Sequence, residues 1–228
     1  LLSVFAVLRI EMPEAPRDAE ISRDDRRVLR RLIVDRRVIA AVLVVISFRY
    51  SIGVFEPLWA THLDDLGAST RVIGFSLTAF ALPMMIVAKP AGRMTDRFGA
   101  RWMSLVPALI SAVLMMTYGY TSFLWVNIMV SGVHGMMGAA LSPATQAGIA
   151  DVTADQDAAS AQGLAEAAGS AASAVGAFSA PVVFDTWGAG PAWLMAGCVM
   201  VALVAVSWLL DRPTLKTANG MGGEPVDQ

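Results

Sequence analysis

The chain is poor in charge. Asp, Glu, Lys and Arg make up 16% of its 228 residues, where a soluble domain carries about a quarter. Hydrophobic residues make up 56%. So little polar material points to a lipid bilayer as the solvent. Cysteine is scarcer still: Cys198 is alone, inside an apolar run. No intrachain disulfide can form, and the thiol is expected to pack against a helix or lipid rather than react. The chain has no His-Glu-x-x-His, no Gly-x-Ser-x-Gly and no Walker loop, so zinc, nucleophile-elbow and nucleotide chemistry have no sequence support. No enzymatic activity, cofactor or metal is expected. A basic stripe interleaved with aromatics is also missing, which removes nucleic acid as a partner.

What the chain does contain is six long apolar runs, at 38–60, 72–90, 102–120, 123–147, 158–184 and 188–210. Each reaches the ~20 residues that cross ~30 Å of hydrocarbon at ~1.5 Å per residue. Period-two alternation is lacking, and the runs exceed the roughly nine to eleven residues of a barrel strand. The predicted fold class is therefore an all-α membrane protein with six transmembrane helices, whose first partner is the bilayer.

Charge sets the predicted orientation. Residues 9–37 hold nine arginines and seven acids, a linker too polar to sit within a helical hairpin. Within it, 26–33 has the spacing of an amphipathic helix lying on the membrane surface. With this linker inside, 89–101 and the tail 211–228 also fall inside, and that side collects fifteen of the seventeen basic residues. Such asymmetry follows the positive-inside rule. The prediction is a multi-pass protein of the plasma (inner) membrane with both ends of the six-helix unit, 38–210, in the cytoplasm. Residues 1–8 are read as the close of a preceding helix.

Charges within the runs are candidates for function, because a central arginine facing lipid costs at least ~2.5–3.5 kcal/mol. Arg49 lies near the middle of the first run and Glu56 seven residues on. Seven residues return to within ~20° of the same helix face, ~10 Å further along, so Arg49, Gly53 and Glu56 should form one stripe facing protein or water. Arg49 is suited to hold a substrate anion or to keep a carboxylate ionised; Glu56 is its partner or an interfacial charge. Glu166, with Gln162, Ser170 and Ser173 nearby, is a carboxyl suited to carry a proton. His134 is either a proton shuttle or a packing residue bonded to a carbonyl. Asn127 and Gln146 should tie helices together or line the cavity passively. Ala161, Ala165, Gly169, Ser173 and Ala177 put small side chains at four-residue spacing, a face for close helix approach.

The elbow at 91–101 concentrates charge and glycine between two apolar runs. Asp96 is expected just past one helix and near the start of the next, whose free N–H groups and positive dipole end favour a carboxylate. Arg93, Arg97 and Arg101 would pair with it or with acids on a neighbouring domain, and Gly92 and Gly99 would permit close approach and unusual turns.

The pattern Gly92-x-x-x-Asp96-Arg97-x-Gly99-x-Arg101 resembles the signature of the major facilitator superfamily, found in the cytoplasmic loop after the second helix of each six-helix half. It departs from the family at Ala100, usually a base, and at Met94, commonly leucine. The resemblance implies a C-terminal half of that fold: 1–8 closing helix six, 9–37 as central linker, the six runs as helices seven to twelve, and the missing N-terminal half as partner. It also implies that the elbow latches one conformation of a secondary transporter. Gly176-x-x-x-Ala180-Pro181 resembles a degraded glycine–proline motif of the drug–proton antiporter branch. The expected function is alternating-access transport of a small organic solute coupled to protons, preferably efflux. Two alternatives stay open: proton symport of an organic anion, since Arg49 is the only mid-membrane base, and a non-transporting six-helix scaffold or receptor.

Overall fold

The computed structural model describes residues 23–211, and among these it contains seven α-helices and no strand. Helix α1 spans Arg23–Val34, α2 Arg36–Asp65, α3 Thr70–Phe98, α4 Ala100–Tyr118, α5 Leu124–Asp151, α6 Ala158–Trp187 and α7 Ala189–Leu210. Helices α2 to α7 are each long and apolar enough to cross a membrane. They coincide with the six apolar runs, and several overshoot them: α2 continues to Asp65 and α3 to Phe98. A helix need not stop where the hydrocarbon does, since polar side chains extend it into the headgroup layer. The expectations for residues 1–8, for the linker before residue 23 and for the tail beyond 211 lie outside the described residues.

Local chemistry places the breaks. Asp35 caps α2, its carboxylate accepting the Arg37 N–H at 2.8 Å, which satisfies one of the donors a helix start leaves over. Three connections turn on glycine with positive φ: Gly67 (79°), Gly99 (84°) and Gly188 (85°), a region that costs side-chain-bearing residues dearly. At the elbow Gly99 is the whole connection. Asp96 consequently sits in the last turn of α3, not beyond it, and Gly92 is mid-helix with open space around it. Both differ from the expected elbow over 91–101, because a single glycine with positive φ suffices to redirect the chain.

The helices pack mainly as α2 with α6, α3 with α5, and α4 with α7; α2 also packs on α7. Contact between α2 and α6 is the tightest. A Cβ on Gly53 would overlap the Ser173 carbonyl, and one on Gly176 would stand 2.8 Å from the Tyr50 carbonyl oxygen. The buried face of α6 runs Ala161, Ala165, Gly169, Gly176, Ala180; Ala177, expected on it, is exposed. A four-residue step overshoots one turn by ~40°, so the stripe drifts until Gly176 takes Ala177's place.

One end of the bundle is held by aromatics: Phe55, Trp59, Tyr118 and Trp193 are buried together. At the elbow end, α1 packs onto the bundle through Leu32, which is 4% exposed and lies with Val38, Val42, Ile149 and Ala161. Arg31 forms an ion pair with buried Asp157, in the turn that starts α6. Ser207 on α7 adds a hydrogen bond to the Ala40 carbonyl at 2.7 Å.

Candidate functional site

Arg49 forms an ion pair with Glu166, linking α2 to α6 across 117 positions of sequence. Gly169 makes the geometry possible: a Cβ there would meet the Arg49 Cγ at 2.7 Å. The arginine stem therefore lies flat across Gly169 and its guanidinium reaches back one turn to Glu166. Both side chains remain partly open, 39% and 50% exposed. Arg49's partner is thus Glu166 and not Glu56, and the expected stripe is divided. Arg49 and Gly53 meet α6, whereas Glu56 borders a cavity toward α3 and α5.

That cavity is about 240 Å³ and is lined by Phe48, Phe55, Glu56, Phe80, Met84 and His134, among others. Phe55 and Phe80 stack with centroids 5.0 Å apart, and His134 stands edge-on to both at 5.7 and 6.1 Å. Aromatic faces carry negative charge density. With Glu56 as the carboxylate among its lining residues, the chamber favours an apolar body carrying positive charge.

Behind the cavity lies a polar network that the sequence did not reveal. His134 Nδ1 is 3.1 Å from the Tyr118 hydroxyl, not bonded to a carbonyl. Asn127 donates its amide protons to the Thr121 and Phe123 carbonyls at 2.8 and 3.2 Å, so its Oδ1 faces His62 Nε2, 3.4 Å away. His62 Nε2, facing that oxygen, is placed to donate to it. His62 is 3% exposed. It fell beyond the apolar run as read, although it lies seven residues after Phe55 and so within ~20° of its helix face. Trp59 completes the network, its indole N–H donating to the Ser76 hydroxyl at 2.9 Å. The Gln162 side chain ties α6 to α5, donating to the Gln146 backbone carbonyl at 2.9 Å.

The elbow residues do not gather around Asp96. That carboxylate, in the last turn of α3 where the dipole end is negative, makes no hydrogen bond or ion pair among the described residues. Arg101 pairs with Asp211 at the end of α7, at 2.9 Å. Arg97 lies over the Phe98 ring, 5.3 Å from its centroid, and Arg93 is exposed.

Polar groups bridged between membrane-length helices, beside an aromatic chamber, define a multi-pass helical membrane protein organised around its interior. Residues 38–226 match the sequence profile described as Major Facilitator Superfamily, and the chain belongs to that family, which is one of transporters and not of enzymes. It is 30% identical over 105 residues to "Multidrug resistance protein 1" of Bacillus subtilis (strain 168), covering 45% of this chain and 26% of that protein. With "Multidrug resistance protein 2" of the same organism it shares 25% identity over 142 residues, covering 61% and 35%. With "Tetracycline resistance protein, class E" of Escherichia coli it shares 27% over 129 residues, covering 54% and 31%. The matched stretches thus span only about a quarter to a third of the length of these relatives.

Proposed function

We propose that this chain is the C-terminal six-helix half of a secondary transporter that exports an amphipathic, cationic organic solute by alternating access, in exchange for protons. The observation that carries this reading is the Arg49–Glu166 pair between the two most closely packed helices, together with an aromatic chamber that α2 shares with α3 and α5, bordered by Glu56. The names of the relatives, which concern multidrug and tetracycline resistance, support the same direction.

In this reading Glu166 takes up a proton and its attraction for Arg49 falls. The freed guanidinium must then find water or another acceptor, because lipid is closed to it, and the two-state arrangement of the bundle shifts. The solute rests in the chamber against its aromatic lining, with its charge toward Glu56. The six-helix unit sits in the plasma membrane with the elbow and both ends in the cytoplasm, as the basic residues favour. Residues 9–37 serve as the linker to an N-terminal half, and the elbow motif acts as a latch against that half. Symport of an organic anion loses its support, since the one mid-membrane base already faces a carboxylate.

Flux of a fluorescent aromatic cation through the complete protein in proteoliposomes, with and without an imposed pH gradient, tests the proposal. Wild-type protein should move dye against its gradient when protons can return, and Glu166→Gln should lose the pH-driven part. Unchanged pH dependence in that variant would remove Glu166 from the coupling.

A further inference from the structure

A second hollow, separate from the chamber, opens where α3 and α4 make little contact with each other. It measures about 630 Å³, and all of its lining residues are uncharged and apolar, Ala91, Met94, Phe98, Trp102, Ile110 and Met137 among them. On α4 it reaches from Trp102 to Ile110, eight steps of ~1.5 Å or about 12 Å, which from the start of that apolar run covers most of the roughly 15 Å depth of one leaflet's hydrocarbon. At its elbow end the guanidinium of Arg97 lies over Phe98, itself part of the lining. Arg97 is exposed and forms no ion pair among the described residues, whereas Arg101, the next base along, is taken by Asp211.

An apolar slot that follows α4 through most of one leaflet, with a cation at its mouth that forms no ion pair among the described residues, is complementary to a lipid bearing a negative headgroup. We propose that this groove binds an anionic phospholipid of the elbow-side leaflet, one acyl chain lying along α3 and α4 and the phosphate meeting Arg97. Arg93, one turn before Arg97 on the same helix, adds to the attraction, and Asp96 opposes it. The assignment rests on the elbow lying at the cytoplasmic surface, and it is independent of what solute is carried.

Trp102 lines the groove and reports on it. Bromine atoms on an acyl chain quench a tryptophan they touch, so the complete protein is reconstituted into phosphatidylcholine vesicles containing increasing shares of brominated phosphatidylglycerol or brominated phosphatidylcholine. Subtracting the fluorescence of Trp102→Phe isolates the groove signal. The expected result is half-quenching at a several-fold lower share of the anionic lipid, with Arg97→Gln reducing that preference on the order of fivefold, the weight of one base at an anionic surface. Equal quenching by the two lipids would mean ordinary boundary lipid and would overturn the proposal. So would absence of any Trp102 signal change, which would mean that protein covers the groove. Selectivity undiminished in Arg97→Gln would also overturn it. None of these outcomes depends on transport, so they are read separately from the flux assay.

Discussion

The α2–α6 contact is the most demanding packing in the molecule, and alanine at its glycines measures it. A Cβ at Gly176 would stand 2.8 Å from the Tyr50 carbonyl oxygen and 3.1 Å from the Val54 nitrogen, where ordinary contact begins at 3.4 Å. Both neighbours are backbone atoms of α2 and cannot rotate aside. The helices must separate instead, losing dispersion contacts along their shared length, and in lipid no hydrophobic term replaces them. Overpacking of this kind costs about 1–3 kcal/mol, against which alanine's better helix propensity returns up to ~1 kcal/mol. Gly176→Ala should therefore lose about 1–2 kcal/mol. Gly53→Ala should lose more, because its Cβ would overlap the Ser173 carbonyl. Gly163, on the same helix as Gly176, has nothing within 4 Å of a built Cβ, and Gly163→Ala should be neutral or stabilising by up to ~1 kcal/mol. Reversible unfolding in mixed micelles of increasing SDS fraction, followed by circular dichroism, ranks the three. If Gly53→Ala unfolds at the same SDS fraction as Gly163→Ala, the α2–α6 spacing is looser than described and the reasoning fails.

The Arg49–Glu166 pair should show strong coupling in a double-mutant cycle of unfolding. Glu166→Gln alone leaves a cation without its partner, so Arg49→Gln should restore part of the loss, with an interaction term within about 0.5–3 kcal/mol; strictly additive losses would contradict the pairing. Asp96→Asn should slow solute turnover in proteoliposomes several-fold while leaving equilibrium dye binding near wild type, as a latch residue remote from the chamber would. Weakened binding at normal turnover would contradict the latch.

Much of this protein follows from local sequence alone. Apolar run length dictates six crossing helices, because every backbone polar group in lipid must find its partner within its own helix. Charge asymmetry and the elbow motif need no tertiary information, and the match over 38–226 bears out the family they suggested. Arg49, Glu56, His134 and Glu166 stood out singly for the same reason: ionisable groups are conspicuous in apolar runs.

What each of them meets was decided in three dimensions. Arg49 and Glu166 lie 117 positions apart, and helix periodicity fixes a residue's angle on its own rod without saying which rod faces it. That is why the stripe through Arg49 and Glu56 split between two neighbours. The same limit hid His62, whose burial comes from Asn127 and Trp193 on distant helices. It also misplaced Asp96, since the chain turned on Gly99 alone. Composition set the solvent and the number of crossings; only the mutual rotation of the helices, fixed where glycines let backbones touch, determined which polar groups face one another.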